Sequence, residues 1–369
     1  MKTTKYPKNN FGIPLPTIPD YSTCIKTPAL VHPSVLKGGY PIEKGARLIK
    51  YSGGFCVVFP YQTPSKKYAV RCWHAEVSDA KRRTQVIADA LKKSNLPYFV
   101  GFDFFEEGIM TPLGMQPIVV MDWVDAQSLK KFLAEHITES NVINEIAENF
   151  KKMVADLHTN HFSHGDLQHG NIMVKPDLSL VLVDYDSMYV PELNGMPDEI
   201  KGLVGYQHEA RWKNKLVSEK ADYFSELVIY LSLKALSKMP SLWKDLNIED
   251  TETLLFSGED IQSKGSSNIF RLLKTDSELS PLVDKLCEFM GESSIEDLIP
   301  LEDAVVSIGE RISTKWGKGN GYTPIKPEVD EPDSITDKWK DGNGYVKPDM
   351  QEECRKLSSS ISEKFKKPE

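Results

Sequence analysis

Residues 164–186 carry the feature that most constrains this chain: His-Gly-Asp-Leu-Gln-His-Gly-Asn, two short apolar runs, and a closing Asp-Tyr-Asp. The apolar runs, 172–174 and 180–183, are separated by a turn at Lys175-Pro176-Asp177. Proline and aspartate suit a tight reversal, so the two runs predict a β-hairpin. Such a hairpin returns Asp184, at the end of its second strand, to the side of Asn171, just ahead of the first. A carboxylate and an amide oxygen converging on one point suit a hard cation such as Mg²⁺, which takes oxygen ligands and keeps phosphates or water in its remaining positions. Asp166 is then left to orient or deprotonate a hydroxyl. Two plain strands with a polar turn would account for either half of the run. They do not account for both halves in this order and spacing.

The constellation resembles the protein-kinase-like superfamily. His164-Gly165-Asp166-Leu167-Gln168-His169-Gly170-Asn171 is similar to its catalytic loop, and Asp184-Tyr185-Asp186 to its magnesium-binding segment. The resemblance implies an α+β, bilobal kinase-like fold, with a small β-rich N-lobe over residues 41–122 and a larger helical C-lobe over 123–310. Residues 1–40 precede it as an N-terminal extension. It further implies Asp166, Asn171 and Asp184 as catalytic residues, Asn171 and Asp184 as metal ligands, and ATP with Mg²⁺ as cofactors.

Upstream, Gly53 and Gly54 lie between two apolar runs and are similar to a reduced phosphate-covering loop. Two glycines stand where the family has three, and an ordinary hairpin turn is the simpler reading of this piece alone. The following strand, Tyr68-Ala69-Val70-Arg71-Cys72-Trp73, places Arg71 where kinases carry the nucleotide lysine. Arginine keeps the charge on a planar fork able to grip phosphate oxygens bidentately. An edge-strand surface arginine is the plain alternative, and Lys66 or Lys67 is a second source of an ammonium. A helix is expected over 79–94, with Val86, Ile87, Ala90 and Leu91 on one face. Kinases present a glutamate from this helix to the strand lysine, whereas here the central positions are Thr84 and Gln85, and Glu76 lies too early. The missing lysine and missing glutamate are a matched change.

Residues 116–129 resemble the strand and linker between kinase lobes. Met121 would gate the space behind an adenine, while the backbone of Asp122 and Val124 would bond the base, with Asp125 near the ribose. Apolar positions Ile143, Ile146, Phe150, Met153, Val154 and Leu157 predict a long core helix over 141–160. Asp222 opens a strongly apolar helix. As a plain cap it needs no further role; by resemblance it bonds the catalytic-loop backbone and His164. Between Asp186 and Asp222, the hydroxyls ahead of His208 are Ser187, Tyr189 and Tyr206. Gly165 stands where phosphorylation-switched kinases carry a phosphate-gripping arginine, which argues against that switch. Gly165 and Gln168 are closer in flavour to small-molecule phosphotransferases. The strand, loop and Val-Asp-Tyr-Asp motifs together are similar to a bacterial family of protein-kinase-like proteins, over roughly residues 20–305.

Composition fits a cytoplasmic protein. The chain is 40% hydrophobic, yet no run approaches the ~20 apolar residues of a membrane span, and the basic first residues lack a signal-peptide core. Five scattered cysteines give no disulfide or zinc spacing. A net charge of −8 argues against a nucleic-acid partner. Residues 311–369 form a tail in which Lys-Trp and Asn-Gly-Tyr recur 23 positions apart, at Trp316 and Tyr322 and again at Trp339 and Tyr345. Too little apolar material accompanies them for a core, so a flexible tail that docks a partner or the kinase lobes is expected. The expected function is ATP- and Mg²⁺-dependent phosphoryl transfer to protein hydroxyls, of the serine/threonine-kinase kind. The alternatives are a nucleotide-binding pseudokinase scaffold or a small-molecule kinase.

Overall fold

A computed structural model describes residues 15–76 and 79–308 of the chain. Its strands are β1 (Tyr40–Pro41), β2 (Glu43–Lys44), β3 (Arg47–Leu48), β4 (Tyr51–Ser52), β5 (Cys56–Gln62), β6 (Lys67–Trp73), β7 (Phe102–Thr111), β8 (Gly114–Asp122), β9 (Gln127–Ser128), β10 (Ile172–Val174) and β11 (Leu180–Leu182). The helices are α1 (Ile18–Cys24), α2 (Ala80–Ser94), α3 (Leu129–His136), α4 (Ser140–Thr159), α5 (Tyr223–Lys238), α6 (Leu242–Asp245), α7 (Gly258–Gln262), α8 (Asn268–Leu273) and α9 (Ser280–Gly291). Strands crowd the first third of the chain and helices the rest, an α+β arrangement.

The main sheet is antiparallel, in the order β1-β5-β6-β8-β7, with β4 also pairing β5. One face of its central strands, including Val57, Phe59, Val70, Cys72, Ile118 and Val120, closes a core with Tyr21, Cys24, Ile25 and Leu36 from the N-terminal segment. The opposite face, with Cys56, Trp73, Val119 and Met121, joins the larger core that continues through the helices. Period-two alternation thus puts Arg71 on the face turned towards the helices and Cys72 on the other.

α4 and α2 form where the apolar spacing predicts them. In α4 the positions Ile143, Ile146, Phe150, Met153, Val154 and Leu157 are all buried. α2 buries Ile87, Ala90 and Leu91, and with them Arg83. α4 packs along α5, whose residues are buried almost all round, as expected of an apolar helix in the centre of a helical layer. The 172–183 hairpin also forms: Ile172 pairs Leu182 and Val174 pairs Leu180, and β9 adds a third strand. Among the described residues no helix is long and apolar enough to cross a membrane. The repeated tail at Trp316, Tyr322, Trp339 and Tyr345 lies outside the described residues.

Candidate active site

Two carboxylates and an amide meet at the open end of the β10–β11 hairpin. The Val183 amide donates to the Asn171 carbonyl at 3.0 Å, which seats Asp184 directly beside Asn171. Nδ2 of Asn171 donates to the Asp166 carbonyl oxygen at 2.8 Å and to its Oδ2 at 3.1 Å. That contact fixes the amide and turns its oxygen away from Asp166. Asp184 adopts the left-handed region at φ 68°, which aspartate tolerates better than most residues. The neighbouring Tyr185 ring is buried and holds this bend in place. Its hydroxyl donates to the Leu182 carbonyl at 2.7 Å and accepts from the Val100 amide at 2.9 Å.

Asp222 holds the backbone of the loop that leads into Asp166. This buried carboxylate accepts from the amides of His164 and Gly165, the latter at 3.0 Å. His164 is fully buried, and its Nε2 meets the Val183 carbonyl at 2.9 Å, tying the loop to the strand that ends in Asp184. Asp222 sits at the N-cap position of α5, but its side chain makes no cap hydrogen bond there and is given to the loop amides instead. Burial pushes the Asp166 carboxyl up, against the lowering effects of His164, Gln168 and Asn171. A base with a raised pKa is better matched to proton transfer near neutrality.

Arg71 reaches this cluster from β6. Nη1 lies 2.6 Å from Asp186 Oδ1, Nη2 contacts Asp186 Oδ2, and Nη2 lies 3.1 Å from Asp184 Oδ1. Nε points to the Cys56 sulfur at 3.0 Å. Burial pulls the guanidinium pKa down, but the Asp186 carboxylate first, then Cys56 and Asp184, outweigh it, and the group stays charged. Burial pushes the Asp186 carboxyl up, against the lowering pull of the Arg71 guanidinium that it meets bidentately. The fork of Arg71 is therefore turned to Asp186. Lys66 and Lys67 are engaged elsewhere: Lys66 pairs Asp122 at 2.6 Å, and the Lys67 ammonium lies 3.6 Å from the Trp123 ring centre.

α2 offers no carboxylate to Arg71 and instead sends in a second arginine. Arg83, buried, donates to the carbonyl of Asp186 at 3.1 Å and to those of Met188 and Pro197 at 3.5 Å. Sequence reasoning passed over Asp186, as the spare carboxylate of Asp-Tyr-Asp, and Arg83. The signal for Arg83 was its helical register with Ile87, Ala90 and Leu91, which puts it on the buried face.

The remaining positions expected at the site fall as follows. Met121 lines a small cavity of about 20 Å³ shared with Arg71, Tyr185 and Asp186. The Asp122 amide donates to the Gly101 carbonyl at 2.9 Å, so only its carbonyl remains for a base; Val124 follows it, half-buried, in the linker. Gly53 and Gly54 form the β4–β5 turn, and a side chain at either would project into open space. Gly165 has a stricter reason: its φ is +76°, and a Cβ there would collide with the Ser187 carbonyl. An arginine cannot be accommodated at that position. Its carbonyl instead accepts from Arg211, which also bonds Asp198 at 3.2 Å and Gln207.

A carboxylate and an amide oxygen that faces away from Asp166 form a hard-oxygen donor pair that leaves most of a coordination sphere to water and phosphate, the habit of Mg²⁺. Asp184 and Asn171 fit that cation. The antiparallel sheet, the linker, the Asp166–Asn171 loop and the Asp184 bend are compatible with a kinase-like fold. A model of the ABC1 atypical kinase-like domain matches residues 108–192, which contain β8, the linker, α4 and the whole Asp166–Asn171–Asp184 cluster. The match supports the protein-kinase-like superfamily and stops short of Arg71, α2, Gly53 and Gly54. No curated protein matches the chain.

Proposed function

We propose that the chain is an ATP- and Mg²⁺-dependent phosphotransferase, in which the sheet half and the helical half act as two lobes around a nucleotide, with a protein hydroxyl as acceptor. The observation that carries this reading is the fixed cluster of Asp166, Asn171 and Asp184, tied together through Asn171 Nδ2 and the Val183 amide. Asn171 and Asp184 would hold Mg²⁺, which when bound neutralises charge on the phosphates. Asp166 orients the acceptor hydroxyl and takes its proton. Arg71 places a permanent positive charge beside Asp184, and Met121, Asp122 and Val124 line the way to the base. Catalysis of this class is mostly positioning and charge stabilisation, which a few rigidly held groups can supply. The free and largely buried thiols of Cys24, Cys56 and Cys72 support a reducing, cytoplasmic setting.

One observation favours a second reading, nucleotide binding without turnover: the Arg71 fork is already taken by Asp186. Magnesium-dependent nucleotide binding and autophosphorylation by the full chain, with Asp166→Asn beside it, separate the two. Transfer lost in Asp166→Asn with binding kept supports the kinase. Binding without transfer in the unaltered chain supports the scaffold, and absence of both removes the nucleotide reading.

A further inference from the structure

In the kinase arrangement the strand cation is steadied by a carboxylate from the helix. Here the charges are redistributed. The strand cation is an arginine, the helix contributes Arg83, and among the described residues the carboxylates against Arg71 are Asp184 and Asp186. Asp184 side-chain oxygens are half exposed and face the site, whereas Asp186 is mostly buried and turned to the guanidinium. Asp186 is moreover held twice, its carboxylate by Arg71 from β6 and its carbonyl by Arg83 from α2. One residue thus joins the strand, the helix and the loop that carries the metal-binding carboxylate.

We propose that Asp186 is the positioning residue for Arg71, taking the place of the absent helix carboxylate, so that Arg71 and Asp186 act as one unit in presenting positive charge to nucleotide phosphates. The proposal rests on the nucleotide-binding reading above. Its geometry makes sense of the arginine. A guanidinium can meet both Asp186 oxygens in parallel while its Nη2 still reaches Asp184 and its Nε reaches Cys56. An ammonium is a point charge and cannot make that set of contacts at once. The lysine usual at this position is therefore the wrong partner for Asp186. The missing helix glutamate and the arginine are two parts of one change, with Asp186 as the third.

The test uses the full chain and compares Mg²⁺-ATP with adenosine by calorimetry, alongside the thermal midpoint without metal. Asp186→Asn keeps the shape and removes the charge. It should weaken Mg²⁺-ATP about tenfold or more while adenosine changes by less than about twofold. Asp186→Glu should recover part of the loss, and Arg71→Lys should weaken Mg²⁺-ATP rather than improve it. In the Arg71→Ala, Asp186→Asn pair, the double variant should bind Mg²⁺-ATP no more weakly than Arg71→Ala alone. Unchanged Mg²⁺-ATP affinity in Asp186→Asn, equal losses for both ligands, or single losses that multiply in the double variant would each reduce Asp186 to a structural ion pair and overturn the proposal. If the unaltered chain binds neither ligand, the nucleotide reading itself fails and the proposal falls with it, an outcome distinct from the other three.

Discussion

Asp184 illustrates how much of this site depends on single backbone positions. The strand before it is buried, its own φ is 68°, and its carboxylate is half exposed towards Asn171 and Arg71. Asparagine tolerates the same backbone region, so Asp184→Asn should keep the fold while removing the charge that a divalent cation needs. Calorimetric titration with and without Mg²⁺ should show the magnesium dependence of nucleotide affinity disappear; an unchanged dependence would move the metal elsewhere. Gly165 provides the opposite case. Restoring the arginine of phosphorylation-switched kinases should not create a switch, because the residue would need φ +76° and would press on the Ser187 carbonyl. Backbone strain alone costs about 1–3 kcal/mol. Gly165→Arg should therefore lower the thermal midpoint and reduce activity together.

At the scale of elements, two buried polar joints hold the helical half. His158 on α4 lies between Glu226 of α5, at 2.8 Å, and Glu302 in the helical residues 301–308, at 2.9 Å. Burial by itself would lower the His158 pKa, but the two carboxylates outweigh it and push it up to about 10. Glu226 shifts the other way for a carboxylate paired with a cation, because burial pushes it up. The histidine direction governs, since one imidazolium faces two carboxylates. A folded pKa near 10 against an ordinary 6.5 means that the stabilisation is fully present below 6.5 and is lost as pH climbs towards 10. The chain should lose urea stability over that window, and His158→Gln should remove most of the slope; parallel curves would refute the assignment. The second joint is Arg211, buried against Asp198, Gln207 and the Gly165 carbonyl. It ties residues 198–211 to the loop that carries Asp166 without a phosphate. Arg211→Met leaves Asp198 with Lys201 at 2.9 Å as its remaining cation. The cost should therefore fall below the about 3–5 kcal/mol of a fully orphaned buried charge, and the change should speed proteolytic cutting near residues 196–217.

Legibility in the sequence followed the range of the interaction. Asp166, Asn171 and Asp184 belong to one loop and one hairpin, so local turn chemistry and apolar runs suffice to bring them together. The α4 stripe was equally readable, predicted over 141–160 and found at Ser140–Thr159. What could not be read was which carboxylate answers Arg71. Asp186 is separated from it by 115 positions, and an arginine fork has no periodicity that names its partner. Asp198 and Arg211 were hidden for the same reason, being charged residues buried by tertiary packing; the register of Arg83 marked its buried face, but not the carbonyls it meets.

For the molecule as a whole, the two ends of the chain should behave differently. At the N-terminal end, residues 15–36 are part of the fold. α1 begins at a capping box between Thr17 and Asp20. Tyr21 is buried at 1% exposure, its hydroxyl donates to the Trp73 carbonyl at 2.9 Å, and Cys24, Ile25 and Leu36 complete the core under the sheet. Strands β5 and β6 would present Val57, Phe59 and Val70 to water without them. A chain beginning at Lys37 should therefore lose solubility or drop sharply in thermal midpoint. Tyr21→Ala alone should cost about 3–5 kcal/mol, as for other large aromatic truncations in a core. At the C-terminal end, the last buried residues among those described are Leu301 and Ala304, and Glu302 makes the contact with His158. A chain ending at Arg311 keeps all of these. It should melt at the temperature of the full chain and bind nucleotide equally well, whereas the Lys37 start should do neither. Equal melting of the full chain and the Lys37 start would show that the N-terminal segment is dispensable. A fall in midpoint for the Arg311 end would show that the segment bearing Trp316 and Trp339 contributes to the folded unit.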